Sequence, residues 1–171
     1  MTIDQVDAER LASLQDGVVE LVRDSVESGS SIGFVLPLAD GELEAYVADV
    51  IAQVTRGSRI VLLALDGDRV AGMVQLEPSP KANSRHRAEV QKLIVRGDYR
   101  RQGLARRLMA EVEQVAASHG RTLLVLDTEQ GSGAESLYRE CGYTEVGVIP
   151  RYAALAHGGM IATVVFFKDL G

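Results

Sequence analysis

A chain of 171 residues with 46% hydrophobic content and a mean hydropathy of +0.04 can bury a core as one domain and is too apolar to be largely disordered. Its net charge of −6 disfavours a nucleic-acid partner, which calls for excess Lys and Arg, and no apolar run approaches the roughly 20 residues that cross a bilayer. The single cysteine, Cys141, precludes an internal disulfide, and the acidic Met1–Asp7 lacks the basic-then-apolar pattern of a secretory leader. A cytoplasmic protein is expected, with no membrane partner.

The first predicted element is a helix from Asp7 to Ser28, with Leu11, Leu14, Val18, Leu21 and Val22 on one stripe. A second helix follows Asp40, its expected N-cap, and carries Leu43, Tyr46, Val47, Val50, Ile51 and Val54 to a stop near Gly57. The period then changes to that of strands, Arg59–Leu65 and Arg69–Glu77, joined through the hairpin signal Asp66-Gly67. Residues 78–87 read as a loop. Arg87–Val95 is a strand, Leu104–His119 a helix with Gly120 as C-cap, and Arg121–Thr128 a strand. This βαβ unit makes its two strands parallel, with a right-handed crossover. A short helix opens at Ser132, with Glu135 three residues on as a capping box, and Gly142 ends it. Tyr143–Ile149 and Met160–Lys168 are the last strands. The fold class is α/β over residues 1–171, a mixed sheet of six or seven strands with about four helices on its faces.

Charge is concentrated where a strand gives way to a helix. Residues 96–107, RGDYRRQGLARR, hold five Arg against one Asp, a balance of +4 that leaves −10 for the remainder. A basic knot in an acidic chain suits a compact anion. Ligands of open α/β sheets bind at such strand-to-helix turns, where free amides and the helix dipole attract anions. Arg100, Arg101, Gln102, Gly103, Leu104 and Ala105 form the turn: the arginines add charge, and Gly103 lets a bulky phosphate approach the backbone. There is no Walker A or GxGxxG sequence, which disfavours nucleoside triphosphates and NAD.

Alternation along the first parallel strand puts Glu89, Gln91, Leu93 and Val95 on one face, and along the second Leu123, Val125 and Asp127. Polar residues on a strand covered on both sides imply a cleft, in which Glu89 and Asp127 can address one amine. A partly buried carboxylate has a raised pKa and suits a base, and the amide of Leu93 or Ile94 can polarise a carbonyl. Cys141 has no base near it in motif order and reads as inert. His86, His119 and His157 lack metal-ligand spacing, so no metal is expected.

The pattern Arg100-x-x-Gly103-x-Ala105, placed after Glu89–Val95 and before Leu137-Tyr138-x-x-x-Gly142-Tyr143, resembles the GNAT N-acetyltransferase superfamily over about residues 59–149. The resemblance implies acetyl-CoA as cosubstrate, its pyrophosphate in the 100–105 loop and its pantetheine arm along the backbone of Leu93 and Val95, and it puts Tyr138 beside the thioester sulfur. Many members have Asn seven residues before that Tyr; this chain has Gly131. Further similarity in Ser31–Phe34, Arg87–Leu93, Met109–Ala116, Leu126–Glu129 and Phe167–Gly171 is to toxin-resistance members of the family, implying a small amino-acid-like amine such as tabtoxinine-β-lactam as acceptor. Acetylation of a protein amine and non-catalytic acetyl-CoA binding are the alternatives, and a homodimer is compatible with the reading.

Overall fold

A computed structural model describes residues 1–171. One seven-stranded sheet runs in the order β1-β2-β3-β4-β5-β7-β6, with β1 Thr2–Val6, β2 Ile60–Asp66, β3 Arg69–Pro78, β4 Arg87–Val95, β5 Leu123–Glu129, β6 Thr144–Ala154 and β7 Met160–Asp169. Only β4 and β5 are parallel; every other pair is antiparallel. Five helices flank it: α1 Ala8–Ser13, α2 Gln15–Glu27, α3 Glu42–Thr55, α4 Leu104–Ser118 and α5 Gly133–Glu140. No helix is long and apolar enough to cross a membrane.

Two cores, one on each face of the sheet, follow from the strand period. Val61, Leu63, Leu65 and Met73 point toward α1–α3, while Leu62, Ala64, Val74 and Leu76 point toward α4 and α5. Strand β2 is buried from Ile60 to Leu65 because helices cover both of its faces, which is why it reads as an unbroken apolar run. The stripe Leu11, Leu14, Val18, Leu21 and Val22 is buried as expected.

Two local expectations are corrected and one strand is added. The helix from Asp7 to Ser28 is two helices: the Leu14 amide donates to Leu11 O at 3.2 Å rather than four residues back, and Leu14 leaves helical geometry at φ −110°, ψ 10°. Just beyond the break Gly17 lies so close to β3 that a Cβ would stand 2.9 Å from Val70 Cγ2. The second helix is capped by left-handed Gly41 rather than Asp40, and the Glu42 carboxylate accepts from the Ala39 amide at 2.9 Å. Thr2–Val6, unassigned from sequence, forms edge strand β1 by pairing with β2.

The seam between β4 and β5 positions the site. These strands pair only through Arg87–Leu123, Ala88–Leu124 and Glu89–Val125. Beyond Glu89 and Val125 they diverge, so one edge of each strand has no partner in the middle of the sheet. Past that point β4 also changes phase. Gln75 pairs with Gln91 but Met73 with Ile94, three residues of β4 against two of β3, and Lys92 takes a left-handed φ of 51°. This is a β-bulge. Gly72 makes room for it: a Cβ there would lie 2.9 Å from Ile94 O and 3.1 Å from Leu108 Cδ1. Gly72→Val is therefore expected to lower unfolding free energy by about 1–3 kcal/mol, the usual penalty for overpacking, in a denaturant titration.

Candidate active site

The diverging strands open a cleft of about 730 Å³ that is lined by both carboxylates, Tyr138, the bulged stretch of β4 and the Ser30–Gly33 loop. A second cavity of about 470 Å³ shares Val95, Arg100, Ala105, Gly133 and Leu137 with it and extends between the starts of α4 and α5. The two form one path from the mouth of α4 to the tip of the seam.

At the α4 end the turn is built for backbone recognition. Arg101 and Gly103 take positive φ values of 60° and 78°, and a residue inverted in this way next to helical ones turns successive amides to one side. None of the amides of Arg101 through Arg106 finds an acceptor within the protein. The arginines contribute less than the local charge of +4 implied. Arg96 pairs with Glu20 and Asp98, both at 3.5 Å, and Arg106 pairs with Glu140. Arg100 donates to Val95 O at 3.0 Å and lies 3.9 Å from Asp24. Acids distant in sequence balance part of the knot, leaving the amides, Arg101 and Arg107 as the exposed positive elements without an acidic partner.

At the other end, Glu89 and Asp127 face the same side of the sheet. Gln91 Nε2 donates to Glu89 at 2.8 Å and to Glu77 at 3.1 Å, and Arg59 donates to Gln91 at 2.6 Å and to Glu77 at 2.9 Å. Asp127 accepts from the buried Thr163 hydroxyl at 2.7 Å, a hydrogen bond that fixes its rotamer. Asp127 is itself exposed, so the burial expected for it from sequence is absent. Leu93 and Val95 are also reassigned. The bulge at Lys92 turns them toward the α4 core, opposite Glu89 and Gln91, while Ile94 joins the α1–α3 core.

Tyr138 is buried on α5 with ring centroids 5.9 Å from Tyr143 and 6.0 Å from Phe166. Burial, reinforced by the charge of Asp127 and by Cys141, raises its pKa well above that of a free phenol. The expected capping box is absent: the Ser132 hydroxyl meets that of Thr128 at 3.3 Å, and the Glu135 carboxylate takes the Gly131 amide and Arg139. The Cys141 thiol is pushed up by burial and by Glu113, away from the reactive thiolate.

A path with acceptor-free amides at one end, two carboxylates toward the other and a buried phenol along it has the chemistry to hold an anionic group at one end and a cation at the other. The sequence profile of the acetyltransferase (GNAT) family matches residues 30–143. The chain belongs to the GNAT acetyltransferase family. It is 31% identical over 133 residues, 76% of each chain, to an uncharacterized N-acetyltransferase from the hisH-hisA intergenic region of Azospirillum brasilense. The fold superposes on ribosomal-protein-alanine N-acetyltransferase from Brucella melitensis with a TM-score of 0.78 at 22% identity, covering 99% of this chain and 100% of that one. It also superposes on yncA from Salmonella typhimurium, solved with its cofactor acetyl-CoA, with a TM-score of 0.78 at 18% identity, covering 100% and 94%.

This GNAT site holds residues that sequence reasoning passed over. Lys92 and Tyr152 line the cleft, as do Ser31, Ile32 and Gly33. The charge of Asp127, then burial and Glu89, raises the Tyr152 pKa. For Lys92 a signal existed: strict alternation would put a lysine on one face with Val90 and Ile94, and a charge in an apolar row marks a break in the pleat. Tyr152, about 60 residues further along, gave no signal.

Proposed function

We propose that this GNAT enzyme transfers acetyl from acetyl-CoA to the amine of a small molecule by direct attack in a ternary complex, within a single domain spanning residues 1–171. An amino-acid-like toxin or antibiotic, tabtoxinine-β-lactam being one example, is the acceptor class. The observation that carries the reading is the split seam: acceptor-free amides at one end, Glu89 and Asp127 at the other, and Tyr138 between.

The residues suit the cosubstrate. The Arg101–Arg106 amides offer its diphosphate a set of donors needing no side chain to rearrange, and the unpaired edge of β4 at Leu93–Val95 offers backbone groups to an extended amide-bearing arm. Acetyl-CoA supplies an acetyl group activated as a thioester. Asp127 and Glu89 hold the incoming ammonium and take its proton, directly or through water, so that the nitrogen presents a lone pair. The amide of Leu93 or Ile94 polarises the carbonyl. Tyr138 Oη, kept protonated by burial, delivers its proton to the departing sulfur.

The local features favour a small acceptor over a peptide. The Ser30–Gly33 loop and Tyr152 line the cleft together with both carboxylates, which offers a small ammonium two acceptors on one side of the sheet. A cytoplasmic setting fits the free Cys141. Exposed Val146, Val148 and Ile149 on edge strand β6 favour a homodimer, which sedimentation would detect.

The test is an acetyl-CoA turnover screen that follows thiol release with small amino-acid-like amines, amine antibiotics and N-terminal peptides. Turnover confined to peptides would overturn the acceptor class, and saturable acetyl-CoA binding without turnover on any amine would favour a binding module. Asp127→Asn is expected to lower kcat/KM on the accepted amine, with partial recovery as pH rises and free amine accumulates without help. A pH profile parallel to wild type would remove its base role.

A further inference from the structure

Lys92 has no place in the chemistry just described, yet its position is unusual. It occupies the bulge of β4 in the left-handed region, a strained conformation for a lysine. Its side chain is half-buried in the cleft, and its Nζ ends against the Ser31–Gly33 loop, 3.4 Å from where a Cβ on Gly33 would stand. The neighbouring Arg59 is saturated by Gln53, Gln75, Gln91 and Glu77. Lys92, in contrast, makes no hydrogen bond and no ion pair. Burial, then the Arg59 charge, draws its pKa down, against the pull of Asp127 and Glu89.

A buried-side ammonium held apart from the nearby carboxylates is costly unless an anion meets it. Besides Arg100 at the α4 end, four charged side chains therefore line the cleft: three negative, Glu89, Asp127 and Glu129, and one unsatisfied positive, Lys92. A simple monoamine or a polycation would complement only the carboxylates. A molecule with an ammonium and a carboxylate on a short frame complements both the carboxylates and Lys92.

We propose that Lys92 is a specificity-determining residue that binds a carboxylate on the acceptor, so that the enzyme selects zwitterionic amines over their neutral-ended or polycationic counterparts. This rests on the small-amine reading above and adds to it a residue and a required chemical group. Lys92 acts on binding: the ammonium anchors the far end of the acceptor and aligns its amine with Asp127, while proton transfer remains with Asp127, Glu89 and Tyr138.

The test uses matched pairs, free α- and β-amino acids against their carboxamides, with wild type, Lys92→Met and Lys92→Arg. Met keeps the length of the side chain and makes no new demand on the bulge backbone. In wild type the free acid should exceed its carboxamide in kcat/KM by roughly tenfold to a hundredfold, the range one charge-assisted hydrogen bond supplies, with most of the difference in KM. That ratio should collapse toward one in Lys92→Met and recover in part in Lys92→Arg. Equal use of acid and carboxamide by wild type, or a ratio that survives in Lys92→Met, would overturn the proposal while leaving the acetyltransferase reading intact. If no amine of the set turns over, the same pairs are titrated calorimetrically in the presence of acetyl-CoA. Binding of free acids by wild type but not by Lys92→Met supports the role; equal binding, or none, overturns it. Absence of acetyl-CoA binding itself would strike the underlying reading, with the acid-to-carboxamide comparison still deciding the role of Lys92.

Discussion

Tyr138→Phe is expected to lower kcat by tens- to hundreds-fold, the usual share of general acid–base catalysis, with acetyl-CoA affinity almost intact. The substitution is clean. Phe fills the ring's place between Tyr143 and Phe166, and the lost hydroxyl donates to no protein group, so no buried partner is orphaned. Burial disfavours the phenolate and thus raises the pKa from the ordinary value of 10.0. The group is consequently a proton donor throughout the neutral range, and any alkaline loss of rate due to its ionisation belongs above pH 10.0. Single-turnover kinetics, which isolate the chemical step, check this. An unchanged kcat would remove Tyr138 from proton transfer.

Gly103→Val should weaken acetyl-CoA binding by roughly 100-fold, equivalent to losing one or two charge-assisted hydrogen bonds. Gly103 sits at φ 78°, and a Cβ there meets nothing within 4 Å. Protein packing is therefore not disturbed; a branched side chain in left-handed backbone costs about 1–2 kcal/mol of stability whether or not ligand is present. The change specific to binding is that the isopropyl group stands in front of the amides of Arg101–Arg106. Calorimetry separates the two effects, since strain lowers the melting temperature and obstruction raises Kd. Wild-type affinity would mean that the diphosphate docks elsewhere.

The βαβ unit was legible because its signals are local. Arg87–Val95 runs between polar turns, and α4 carries Leu104, Leu108 and Val112 at helical spacing before Gly120. Glu89 and Asp127 were correctly placed on one face because Glu89 precedes the bulge of β4 and β5 keeps a continuous register with β7. Leu93 and Val95 were misplaced since strict alternation assumes a uniform pleat, and Gly72, which makes room for the bulge, lies on another strand. The break at Leu14 was hidden because the apolar stripe continues through it. The neutralisation of the basic knot by Asp24, Glu20 and Glu140 depends on tertiary contacts that no local window contains.

The shortness of the β4–β5 pairing has a mechanical consequence. Helix α4, which presents the anion-facing amides, packs on β2, β3 and β4, whereas α5, which carries the phenol, packs on β5. The two ends of the proposed site thus ride on strands fastened by three residue pairs across the sheet, and the helices above them are joined by a shared core and by the Arg106–Glu140 pair. The span from amides to hydroxyl depends in part on that joint, and substitutions at Arg87, Ala88 or Leu123 are expected to detune turnover by altering the gape of the seam.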